Sequence, residues 1–111
     1  MAYVTLESKK LRHNFKYLDQ LFGKHGIQWT AVSKMLSGNR LFLTELLELG
    51  VSQIADSRIS NLRTVKSINP AIETMYIKPP ARRAVPSVVK YADISMNTEI
   101  ETIKLLAEEA H

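Results

Sequence analysis

Lys34 has more to offer chemistry than any other residue in this sequence. It closes a short β-type run, Gln28-Trp29-Thr30-Ala31-Val32-Ser33, and a Ser37-Gly38-Asn39 turn follows it. A lysine that ends a buried parallel strand has two outlets for its ammonium group, solvent at the strand mouth or a ligand held there. A partly desolvated amine gives up its proton more easily and becomes nucleophilic, so a Schiff base to an aldehyde is one such ligand-holding role. Asp56 and Lys78 end the next two strands of the pattern. Asp56 reads either as a cap for the helix that follows or as a polar group beside the lysine. Lys78 reads either as a solvated residue before Pro79-Pro80 or as a charge that neutralises an anionic cofactor or substrate. Asn97 reads as a cap, and Arg58, Arg82 and Arg83 as solvated.

Other chemistries find no support. The chain has no cysteine, which removes disulfides, thiolate catalysis and cysteine metal sites. His13, His25 and His111 lie far apart, with no pair at ligand spacing, so no metal site is expected. The formal charge of +4 is modest and its basic residues are scattered, as on a solvated surface. No clustered stripe or module speaks for nucleic acid. No apolar run approaches the roughly 20 residues of a membrane span, and Met1 to Thr5 lacks a signal-peptide layout. A cytoplasmic protein is expected.

The elements that must position Lys34 are legible from two alternating periods. Tyr3 to Leu6 reads as a strand, and Ser8 as the cap of a helix with apolar positions Leu11, Phe15, Leu18 and Phe22, stopped by Gly23 and Gly26. After the Lys34 strand, Leu41 to Leu49 is helical and ends at Gly50. The unit then repeats: a strand over Val51 to Ala55, a helix through Ile59, Leu62 and Val65 broken at Asn69-Pro70, and a strand over Glu73 to Ile77. A helix over Pro86 to Tyr91 tolerates its proline only in the first turn. Asp93 to Met96 is a further strand. Thr98 and Glu101 have capping-box spacing and open a helix through Ile100, Ile103 and Leu106.

Strand starts near 28, 51, 73 and 93 recur at the pitch of consecutive βα units, which right-handed crossovers lay side by side and parallel. No turn carries a dinucleotide fingerprint, so the expected fold is α/β, an arc of about four units of a (β/α)8 TIM barrel. A whole barrel takes about 250 residues. Residues 1–111 are therefore expected to be the N-terminal portion of a longer enzyme, with the rest of the barrel outside this sequence. If Lys34 faces the barrel interior, Val32 and Thr30 do too, while Trp29 and Ala31 pack under the helices.

The run Gln28 to Lys34 resembles the cofactor strand of the alanine racemase-like family, pyridoxal-phosphate enzymes of fold type III with an N-terminal barrel. Further marks are Leu49-Gly50-Val51, Ile54-Ala55-Asp56-Ser57-Arg58, Asn61-Leu62 and Tyr91-Ala92-Asp93-Ile94-Ser95-Met96-Asn97. They keep their order over nearly the whole chain and are most similar to the alanine/ornithine racemase branch.

That resemblance implies an isomerase of amino-acid metabolism, dimeric when complete, that interconverts L- and D-amino acids such as alanine, ornithine or lysine. Lys34 matches the lysine that holds pyridoxal 5'-phosphate as an internal aldimine and acts as base at the substrate Cα. Asp56 and Lys78 are weaker cofactor-binding candidates. Met35-Leu36-Ser37-Gly38 departs from the aromatic stretch whose tyrosine serves the phosphate in ordinary alanine racemases. The family's main phosphate loops, the group facing the pyridine nitrogen, the opposite-face acid and a C-terminal β domain all lie beyond the fourth unit, so the isolated chain is expected to be inactive. The alternative is a non-catalytic pyridoxal-phosphate-binding homeostasis protein on a single barrel. Those proteins show Gly-Glu-Asn after the second strand, where this chain has Ala55-Asp56-Ser57-Arg58. A third reading is an oligomerising scaffold without ligand.

Overall fold

Hydrophobic periods of two and of 3.6 residues alternate along the chain, and the backbone follows them. The computed structural model describes residues 3–111; Met1 and Ala2 of the N-terminal stretch lie outside them. The order is α1 (Ser8–Lys24), β1 (Ala31–Val32), α2 (Arg40–Glu48), β2 (Gln53–Asp56), α3 (Ile59–Ile68), β3 (Glu73–Tyr76), α4 (Val85–Tyr91), β4 (Ile94–Ser95) and α5 (Ile100–Ala110). Short 3-10 turns occupy Lys34–Leu36 and Arg82–Ala84. The four strands form one parallel sheet in the order β1-β2-β3-β4. This is an α/β fold consistent with a partial βα barrel.

Register sorts the strand residues into two faces. Ala31 pairs with Ile54 and Ile54 with Thr74, so these share one face, together with Asp56 and Tyr76. Ile54, Thr74 and Asp56 are fully buried there, under α2, α3 and α4, against Leu43, Leu62, Val65 and Val88. Each such apolar side chain contributes about 1.5–3 kcal/mol by leaving water. Val32, Ala55, Met75 and Ile94 share the opposite face, which no helix covers; Val32 remains 48% and Ile94 37% exposed. Ala55 is buried on that face because its methyl lies between Val32 and Met75. The expected alternation holds: Ala31 packs on the core, and Trp29 packs against Phe15 and Phe22 of α1.

Local chemistry explains most element ends. At the end of α1, Ile27 donates to the Phe22 carbonyl at 2.9 Å and Gly26 to Gly23 at 3.1 Å. That paired closure needs a left-handed residue, which Gly26 supplies at φ 66°. Asn39 caps α2 by accepting from Phe42 N–H. Pro86 sits in the first turn of α4, as expected.

Three expectations fail. Tyr3 to Leu6 is not a strand: among the described residues it finds no sheet neighbour, and Tyr3 is 83% exposed, because strand-type residues need a partner to pair with. Ser8 does not cap α1 but begins it, with Glu7 extended in the cap position, and its hydroxyl meets Glu45 of α2 instead. Thr98 and Glu101 form no capping box, since α5 opens one residue later, at Glu99, without a side-chain cap. Of the apolar stripe expected on α5, Leu106 packs on the core while Ile100 and Ile103 are exposed.

Asp93, just before β4, ties α3 to β3. Its Oδ2 accepts from Lys66 Nζ of α3 at 2.7 Å and from Thr74 N–H of β3 at 2.9 Å. Lys66 also donates to the Ile72 carbonyl at 2.8 Å. Burial alone would raise the Asp93 carboxyl; the Lys66 hydrogen bond and charge and the Thr74 donors outweigh it and hold it below the usual range. A lowered folded value means stability that is present above the unfolded value, about pH 4, and lost as pH falls through the folded one. D93A is expected to cost about 1–2 kcal/mol at neutral pH, read by urea unfolding. Its deficit relative to the wild type should shrink below about pH 4; a deficit that does not change with pH would contradict this.

Candidate functional site

The carboxyl ends of the four parallel strands define one rim. Lys34 leaves the sheet there, two residues after β1, as the first residue of the 3-10 turn. Ser33 still pairs with β2, donating its N–H to the Ala55 carbonyl at 3.0 Å, but its φ of −98° and ψ of 3° end the extended run. Lys34 is exposed, and among the described residues its amine has no hydrogen-bond or ion-pair partner. Lys66, engaged at 22% side-chain exposure, is the contrasting case. Lys78 also stands exposed at this rim, two residues after β3. Asn97 follows β4, donating to the hydroxyl of Ser95 at 2.9 Å, and its Oδ1 is buried without a partner. It does not cap α5. Arg58, Arg82 and Arg83 are exposed, and Arg58 takes the backbone cap position of α3.

Asp56 is not beside Lys34 on the open face. Strand register turns it to the helix-covered side, fully buried, where its carboxylate accepts three hydrogen bonds. Oδ1 accepts from the Arg58 N–H at 2.9 Å; Oδ2 accepts from Ser33 Oγ at 2.9 Å and from Asn61 Nδ2 at 3.1 Å. Neither expectation is met in full. Asp56 is not beside Lys34, and it does not cap α3, whose cap position is held by Arg58 without a side-chain bond. It braces the turn into that helix through the Arg58 N–H and two buried side chains. An acidic group is well placed at the amino end of α3, where the helix dipoles favour negative charge. Ser33 and Asn61 were noted in the sequence only within the resemblance and not as partners of Asp56. A signal existed: Asn61 is a polar residue inside the buried stripe of α3, next to Leu62 and Val65, and such a residue needs a partner.

A cavity of about 430 Å³ lies at the opposite rim, lined by Phe15, Asp19, Trp29, Gln53 and Glu73 among others. It contains none of the residues with candidate chemistry, so volume does not mark the site here.

No family model matches the chain, and no solved structure matches it. A curated protein does: ornithine racemase of Acetoanaerobium sticklandii is 37% identical over 107 residues, 96% of this chain. The chain is a relative of ornithine racemase. It spans about 30% of that protein's length. The relationship covers nearly the whole chain and agrees with the likeness to the alanine racemase-like family read from the Lys34 strand.

Exposure separates the two roles at this rim. K34A is expected to leave the unfolding free energy within about 0.5 kcal/mol of wild type. D56A should cost about 2–4 kcal/mol, because it strands two buried side-chain donors and the Arg58 N–H. Urea unfolding of both variants checks the contrast, and equal losses would contradict it.

Proposed function

We propose that this chain is the Lys34-bearing part of a pyridoxal-phosphate-dependent amino-acid racemase, acting on a basic amino acid such as ornithine. The observation that carries the reading is an accessible, unpartnered lysine amine on the carboxyl-terminal rim of a parallel sheet, in a chain that resembles ornithine racemase along nearly all its length. Barrel enzymes keep their chemistry at that rim. The residues present fit the reactive end of the cofactor: bonding an aldehyde carbon takes a primary amine that no carboxylate holds, and Lys34 provides one.

In this reading Lys34 would hold the cofactor, and Lys78 would add positive charge at the same rim. Pyridoxal phosphate, when bound, supplies the electron sink that makes a substrate Cα proton acidic. The Lys34 amine would also be the group on this chain that takes up or returns a proton at the substrate Cα on one face. Asp56 is given no contact with cofactor or substrate, since its oxygens are occupied on the helix side. The donor for the opposite face and most of the phosphate cradle would come from outside these 111 residues, as would the remaining strands of an eight-stranded barrel. By itself the chain should show negligible racemase turnover.

The test is reductive trapping. The chain is incubated with pyridoxal phosphate, reduced with borohydride and digested, and the pyridoxylated lysines are located by mass spectrometry. Lys34 is expected to carry most of the label, and K34A to lose it without gain elsewhere. Label spread evenly over the lysines, with circular dichroism showing a folded chain, would contradict the proposal.

A further inference from the structure

We infer that Ser33, Asp56 and Asn61 form a clamp that positions the Lys34 turn, and that the reactivity of Lys34 toward an aldehyde depends on it. The inference rests on the cofactor reading above and adds positioning residues to it. The segment from Ser33 to Gly38 has little regular structure of its own. It holds one 3-10 turn, then two successive residues in the left-handed region, Ser37 at φ 52° and Gly38 at φ 72°. Left-handed backbone is costly for a residue with a side chain, so Ser37 persists there only if its surroundings hold it.

Asp56 holds the start of this segment directly and meets its end through Asn61. At its start, Ser33 is 1% exposed and donates its hydroxyl to Asp56 Oδ2. At its end, Gly38 lies against the side chain of Asn61, 6% exposed, whose Nδ2 donates to the same oxygen. A Cβ placed on Gly38 would come 2.5 Å from Asn61 Oδ1, so the turn has closed onto that amide as far as a glycine allows. One carboxylate oxygen thus fixes the residue before Lys34 directly and the turn after it through Asn61. Asp56 is itself fixed by pairing of β2 and by the Arg58 N–H. These side chains touch no reacting atom. Their effect is to spare Lys34 the conformational search that an exposed lysine otherwise makes before it bonds a ligand.

The experiment compares trapping of pyridoxal phosphate in the unaltered chain, S33A, N61A and a control, V88A. Val88 is 2% exposed in the core under α4, away from the clamp. The readout is the ratio of label on Lys34 to label on the other lysines of the same molecules, taken where circular dichroism shows each protein folded. S33A and N61A should lower that ratio about tenfold, the worth of one hydrogen bond, while V88A keeps it. A ratio unchanged in S33A and N61A, or lowered as much in V88A, overturns the clamp and leaves the cofactor reading standing. An unaltered chain that shows no preference for Lys34 sinks the cofactor reading itself. A measurement on the unaltered chain covers the case of variants that do not fold. The amides of Ser37 and Asn39, bonded to the Lys34 and Leu36 carbonyls at 3.2 and 3.0 Å, should exchange hydrogen at least about a hundredfold slower than an open chain. Exchange at the open-chain rate would also overturn the clamp.

Discussion

A single buried carboxylate, Asp56, organises the carboxyl-terminal rim. Burying an acidic side chain costs several kcal/mol unless its oxygens are met by donors. Here the donors come from the end of β1, the start of α3 and the first turn of α3's buried stripe. Meeting that requirement brings two strands, a helix and the Lys34 turn into one arrangement. The hydrophobic core beneath it is close-packed, but its contacts are not directional. Directional bonds to one oxygen do not slide. They explain why an exposed and irregular turn occupies a defined place.

The sheet has two unlike faces for the same topological reason. Parallel strands need helical crossovers, and in this chain those helices cover one side. The other side carries Val32, Met75 and Ile94, small enough in number to remain partly wet. In a closed barrel that side is the packed interior, and the rim above it is where ligands sit. Lys34 emerges at that rim, and the cavity at the opposite rim has no comparable chemistry. Lys34 and Lys78 are thus the exposed amines that this rim offers.

Much of the fold was legible in the sequence because the repeating unit is local. Leu43, Leu62 and Val65 recur at helical spacing, Asn69-Pro70 stops α3, and the strand pitch announces parallel pairing. Local signals misled where a partner decides the outcome. Tyr3 to Leu6 has strand-like residues and no pairing partner among the described residues. Ser8 and Thr98 have capping side chains, but each helix started one or two residues away from where they could serve. Lys34 stood out in the sequence because its neighbours resemble a known cofactor strand, and the structure adds its place at the end of β1. The role of Asp56 was only half legible: sequence shows that it ends a strand and precedes a helix. Which face it takes follows from the register between β1, β2 and β3, a long-range property. Asn61 was hidden for the same reason, since its partner lies in another element.

The coupling between Ser33 and Asp56 tests the organising role of that carboxylate most directly. Unfolding free energies of S33A, D56A and the double variant give it as a cycle. A shared hydrogen bond predicts a non-additive coupling of about 1 kcal/mol, the double variant losing less than the sum of the single losses. Strict additivity would mean that the two side chains do not interact, and the account of the rim would fall with it.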